Sequence, residues 1–163
     1  MQLKPISTSG LPAALQKAER YRLLNDSSAA ESICLDILAA DPENQAALTT
    51  LLLALTDQFV VEAGETTRRA MEVVPRLRDE YRRAYYAGII CERRAKAQLH
   101  RGGMDADGIA AEWLHKAMHF YEQAESLRSQ GNDEAILRWN TCLRLLGRHE
   151  HADTAASDEP AFD

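Results

Sequence analysis

Glycine and proline, the residues that most readily interrupt a helix, are scarce here, at 8 and 5 in a chain of 163. Aromatic residues make up only 6%, whereas a sheet-rich fold would favour aromatic and β-branched side chains. The abundant residues are Ala, Leu, Glu and Arg, all good helix formers, so the sequence predicts an all-α fold. Long hydrophobic runs are also missing. The most apolar stretch, residues 46–55, is far shorter than the roughly 20 residues a membrane span needs. The opening segment MQLKPISTSGLPAALQ has no apolar core of the signal-peptide kind, so neither secretion nor a membrane partner is expected. Three cysteines, Cys34, Cys91 and Cys142, are odd in number and widely spaced. That fits neither a disulfide framework nor a CxxC zinc site, so they are expected to be packing residues in a cytoplasmic protein. The phosphate-cradling and nucleophile-elbow patterns GxxxxGK[ST], GxGxxG and GxSxG are absent. No enzyme activity and no cofactor are expected.

The charge that is present is unevenly placed. The net charge is −6, yet residues 68–101 hold ten basic and four acidic side chains. A basic middle on an acidic chain suits an acidic partner or a nucleic acid. The alternative is a solvated face whose arginine stems cover apolar surface. Aromatic residues are not interleaved with these cations as stacking platforms would require, which makes nucleic acid the second reading.

Helix punctuation divides the chain into about seven segments. Gly10 and Pro12 open the first, where a missing proline N–H costs nothing. Ser28-x-x-Glu31 reads as a capping box for the second. Asp41-Pro42 is expected to cap the third, which covers about residues 43–59 and is apolar nearly all round. Gly64 is expected to separate it from a fourth helix over 66–74, before Pro75. Long helices over 79–99 and 106–128 meet at Gly102-Gly103. A seventh follows Asn132-Asp133 to about Leu146. The reading is a flexible segment 1–9, a helical domain 10–147, and a polar, acidic tail 148–163 expected to be disordered.

Within these helices a spacing recurs. The first pair has Ala14, Lys17, Ala18 and Tyr21, then Ala30, Cys34, Ile37 and Pro42. The second has Leu48, Leu51, Leu52 and Leu55, then Thr66, Ala70 and Val73. The third has Ala84, Ala87, Gly88 and Cys91, then Ala117, Tyr121 and Ala124 after a stretch about 17 residues longer than the pattern allows. This resembles the tetratricopeptide repeat, in which small residues let paired helices approach and large ones fill the gap to the next pair. Lys17 and Leu52 depart from it.

The resemblance implies antiparallel helix pairs stacked as a short superhelix, with the last helix as a solvating cap. It also implies an adaptor or chaperone-like module that holds a peptide or helix of a protein partner in a concave groove. The implied partner-binding residues are Arg22, Leu53, Arg82, Tyr85, Ile89, Arg93, Asn140 and Arg144, with tyrosine and arginine favoured as hot-spot types. Leu15, Glu19, Thr49, Thr56 and Ile136 would lie beside them. Glu19 and Thr49 stand where a carboxylate-gripping repeat wants amine and amide donors, which speaks against that ligand. A homodimer through the long fifth and sixth helices is also compatible. The weakest reading is a metal site at His115 and His119, one helical turn apart with Glu112 and Glu122 nearby. It lacks the glutamate beside the first histidine that HExxH enzymes use, and no metal is expected.

Overall fold

The computed structural model describes the backbone of residues 1–157 and the side chains of residues 1–148. It is all-helical among the described residues: α1 (Leu11–Leu23), α2 (Ser27–Ala40), α3 (Gln45–Thr56), α4 (Ala63–Val73), α5 (Glu80–Arg101), α6 (Ala106–Leu127) and α7 (Glu134–Ser157). Short 3-10 turns at Thr8–Gly10 and Val74–Arg76 precede α1 and follow α4. Residues 158–163 of the acidic tail expected at 148–163 lie outside the described residues. The helical backbone of α7 is continuous past Leu146 to Ser157.

Several boundaries differ from the sequence reading, each for a local reason. The cap of α2 is Asp26, whose carboxylate accepts from the Ala29 amide at 3.1 Å. Glu31 does not turn back to close a box; it accepts from Gln58 and Arg69 and ties α2 to α3 and α4. Asn44, not Asp41, caps α3 and accepts from the Ala47 amide at 3.0 Å. Asp41 instead follows the end of α2 and accepts from the Asn44 side chain. Gly64 does not separate two helices but lies inside α4. A side-chain cap of this kind contributes about 1 kcal/mol to its helix, enough to move an end by a turn. Asp79 caps α5 through the Arg82 amide at 2.7 Å. After it, Gly102 (φ 68°) and Gly103 (φ 107°) take the left-handed backbone that favours glycine. The extra length of this third pair therefore lies in two long helices, and the turn between them is only residues 102–105.

The core forms two clusters sharing α5. Leu48, Leu51, Leu52 and Leu55 of α3 anchor the first, with Ile37, Ala70 and Leu77 around them and Ile90 and Ala97 supplied by α5. Ile89, Cys91 and Ala95 of α5 join Leu114, Ala117, Tyr121, Ala135 and Cys142 in the second. Leu53, Met71 and Tyr86 touch both. Helix α3 is buried on nearly every side, as its composition predicts. Ile6, in the segment expected to be flexible, packs against the first cluster.

All three cysteines are buried and free. Burial pushes each thiol from about 9.0 up to about 12. Above pH 9 an unfolded thiol therefore ionises while a folded one does not, so stability falls as pH rises from 9 through 12 and is unaffected by these groups below pH 9. Urea midpoints measured between pH 8 and 11 should show this decline. A thiol reagent at pH 8 should modify the three side chains only as fast as the protein opens.

Candidate functional site

The odd-numbered helices lie side by side and run the same way. Near the start of α3 and α5, the Arg82 guanidinium donates to Thr49 Oγ1 at 2.7 Å. At the other end of α3, Arg93 donates to Thr56 Oγ1 at 2.7 Å and pairs with Asp57. Arg22, in the last turn of α1, reaches the other oxygen of Asp57 at 2.7 Å. On the far side of α5, Arg138 of α7 approaches Glu92 at 3.3 Å. By contrast α6 runs antiparallel to α5, since Gly88 faces Tyr121 while Arg94 stacks on Trp113 farther along.

These bonds tie α1, α3, α5 and α7 together along one side of the array, and two acids, Asp57 and the fully buried Glu92, gather the cations there. Asp57 is held between Arg22 and Arg93. Glu92 is fully buried and receives Lys96, Arg138 and the Tyr121 hydroxyl, the last at 2.7 Å. Burial works against the charge on Arg138, but the Glu92 carboxylate together with Tyr85 and Tyr121 outweighs it, and the net effect on the guanidinium is upward. Burial and the Glu92 charge together keep the Tyr121 phenol protonated far above its usual range. Each acid is met by two cations, so each cluster carries a surplus positive charge. Beyond them a shallow, open hollow lies beside Asp57, Val60, Arg93, Lys96 and His100, with buried Phe59 and Ala97 beneath it.

The residues expected to bind a partner fall in three environments. Arg22, Arg82 and Arg93 share the face, but their guanidinium groups bridge neighbouring helices. Arg82 also lies over Tyr86. Tyr85 stacks on Tyr81 at 5.8 Å, meets Tyr86 edge-on at 5.3 Å and approaches Tyr121. Burial raises the pKa of its phenol, with Arg138 partly offsetting. Leu53 packs half-buried between the two clusters. Ile89 is 2% exposed and belongs to the second core cluster, which corrects its assignment to an accessible lining: the side chains of the helices packed around α5 cover it. Asn140 is half-buried and Arg144 exposed on α7.

Sequence reasoning missed Asp57, Lys96, His100 and Arg138. Lys96 and His100 continue the one-turn spacing from Arg82 through Arg93, a signal that was available. Asp57 and Arg138 give no such signal, because only the packing of separate helices brings them to the face.

The basic stretch 68–101 is engaged within the fold. Arg68 pairs with Glu65 and Glu72, Arg69 with Glu31, Arg78 with Glu43 and Arg83 with Glu80. Arg76 and Arg101 donate to the carbonyls of Pro42 and Phe59. His115 and His119 are exposed on α6, and His119 contacts Gln123 at 3.0 Å. Among the described residues there is no group of three or more His, Cys, Asp or Glu side chains placed to hold a metal ion, and no helix is long and apolar enough to cross a membrane. Trp113 and Trp139 are half-buried at the edge of the second cluster, the former between Arg94 and Lys116, the latter donating to Glu122 at 3.0 Å. No family model matches this chain, and no curated protein or solved structure matches it.

Proposed function

We propose that the chain is a non-catalytic interaction module, a tetratricopeptide-like adaptor that holds a segment of a protein partner across the shared face of α1, α3, α5 and α7. The observation that carries this reading is the parallel alignment of the odd-numbered helices, which the Arg22–Asp57–Arg93 and Glu92–Arg138 links tie together along one side of the array. Such a surface suits an extended or helical ligand that touches several helices at once. The repeat spacing supports the same reading. Ala18, Ala30, Cys34, Ile37, Leu48, Leu52, Ala70, Ala117, Tyr121 and Ala124 are all fully buried, as helix-pairing positions of such an array would be. The division of the core into two clusters sharing α5 also fits a stack in which each pair contacts its neighbours.

The internal engagement of the arginines shifts the contact residues within this proposal. Arg144, Asn140, Lys96 and His100 are the side chains that can reach a partner without dismantling a helix–helix bond of the arginine ladder. A photo-crosslinking residue placed at Asn140 should capture a partner in native lysate, and one placed at Glu125, exposed on α6, should not. Adding Arg144→Glu should weaken the Asn140 adduct several-fold while circular dichroism stays unchanged. Equal capture from both positions, or from neither, would remove the odd-helix face from consideration.

A further inference from the structure

We infer that the partner segment is an acidic helix with two carboxylates seven residues apart and an apolar residue midway, lying along α3 and α5 so that it meets Arg82 and Arg93 together. The inference rests on the adaptor reading above and names the chemistry of the segment that such a module would hold.

Its basis is the way the two arginines are held. Thr49, Leu53 and Thr56 follow the i, i+4, i+7 spacing that places residues on one side of a helix. Each threonine hydroxyl donates back into α3, Thr49 to the Gln45 carbonyl at 2.9 Å and Thr56 to the Leu53 carbonyl at 2.7 Å. Their lone pairs are left for α5, and each accepts from an arginine at 2.7 Å. A threonine positions a guanidinium without neutralising it. Arg82 has no carboxylate partner among the described residues: its Nη2 bonds Thr49, and the head lies over Tyr86, 5.7 Å from the ring centroid. Arg93 commits only Nη1, to Thr56 and to the Asp57 it shares with Arg22. Cations therefore outnumber acids on this side, since Lys96 and Arg138 likewise share Glu92. An acidic ligand is the complement of that excess. Arg82 and Arg93 meet it in place, through the donors that the threonines leave free, so the ladder stays intact.

Spacing selects the form of the ligand. Arg82 and Arg93 stand eleven residues apart on α5, about 16 Å by helical rise. Their heads are drawn to threonines only seven residues apart on α3, about 10.5 Å along that helix. An extended segment alternates its sides, so its same-side residues recur at about 6.7 and 13 Å, and neither matches. A helix returns to the same side after seven residues, at about 10.5 Å. Its residue midway would then meet half-buried Leu53, which lies between the two threonines, and Tyr86 beneath Arg82.

The test measures fluorescence anisotropy of stapled, fluorescein-tagged helical peptides of about 15 residues against the full chain at low ionic strength. One peptide carries Glu at i and i+7 with Leu at i+4. A second has the same composition with the later Glu moved to the opposite side at i+5, and a third carries Lys in place of both Glu. The first should bind most tightly. Moving one Glu should weaken binding by about five-fold, the upper range for one partly exposed ion pair, and the Lys peptide should not bind. Arg82→Gln, which keeps a donor for Thr49, should abolish the difference between the two Glu peptides while circular dichroism stays unchanged. Absence of binding, equal affinity for the two Glu peptides, or a preference that survives Arg82→Gln would each overturn the inference. A single-stranded oligonucleotide binding as tightly as the first peptide would also overturn it, because charge alone would then be read. Lysate capture at Asn140 is scored separately. Capture without a peptide preference sinks this inference and leaves the adaptor reading standing, whereas a peptide preference without capture upholds the recognition chemistry and tells against the Asn140 end of the array.

Discussion

Gly88→Ala is expected to destabilise the protein by about 1–3 kcal/mol, although alanine is the better helix former. Gly88 lies in the middle of α5, where it gives up the roughly 0.8–1.0 kcal/mol that alanine would contribute to a helix. A Cβ at this position would stand 2.5 Å from Cε1 and 2.7 Å from Cδ1 of Tyr121, which is inside van der Waals contact. The ring has nowhere to go. Tyr121 is fully buried on α6, and its hydroxyl is tied back to Glu92 on α5 at 2.7 Å. The clash must therefore push the two long helices apart along the seam that also carries Ile89 and Cys91. Gly64 supplies the internal control. It too lies within a helix, and a Cβ there would meet nothing within 4 Å. Gly64→Ala should accordingly stabilise, though by less than the roughly 0.5–1 kcal/mol of a mid-helix site because Gly64 is the second residue of α4. Urea unfolding of the two variants should move the midpoint in opposite directions at similar slope. If both variants gained stability, the close approach of α5 to α6 would be wrong.

The second large effect is expected at Glu92. Glu92→Ala should cost about 2–3 kcal/mol, because it removes the acceptor on which three side chains from three helices converge. The Tyr121 hydroxyl is left buried with no partner, the costly half of the change. Arg138 and Lys96 are 41% and 43% exposed at their side chains, so they recover much of their hydration, which keeps the loss at the lower end for a broken buried pair. Glu92→Gln preserves the shape and an acceptor for Tyr121, and should lose less. A double-mutant cycle with Tyr121→Phe separates the contributions. The coupling should be at least about 0.5 kcal/mol if the hydrogen bond is the main term, whereas additive losses would mean that packing of the Glu92 stem dominates. The function proposed here gives the cycle a second use. Glu92 positions Lys96 and Arg138 on the odd-helix face, so Glu92→Gln should alter partner capture through the Asn140 crosslink even where stability is largely retained.

What the sequence by itself determined is the set of helices and their buried sides. Helix-forming residues, sparse glycine and proline, and apolar spacing near 3.6 are local properties, and local physics acts on them before any two helices meet. The apolar circumference of α3, the stop at Gly102–Gly103, and small residues such as Ala18 and Gly88 were legible for this reason. Caps were less legible. Asp26 and Ser28, or Asp41 and Asn44, offer similar side-chain acceptors within a few residues, and differences of about 1 kcal/mol choose between them. Tertiary structure alone decided the fate of the polar face. Nothing in the spacing of Arg22, Arg82 and Arg93 says that they close onto Asp57 and Thr49, because those partners lie 33 to 36 residues away along the chain. Nor does it say that Ile89 is roofed over while Lys96 and His100, farther along the same stripe, stay accessible. A stripe on one helix is a sequence property, but which part of it meets water is set by the neighbours that pack beside it.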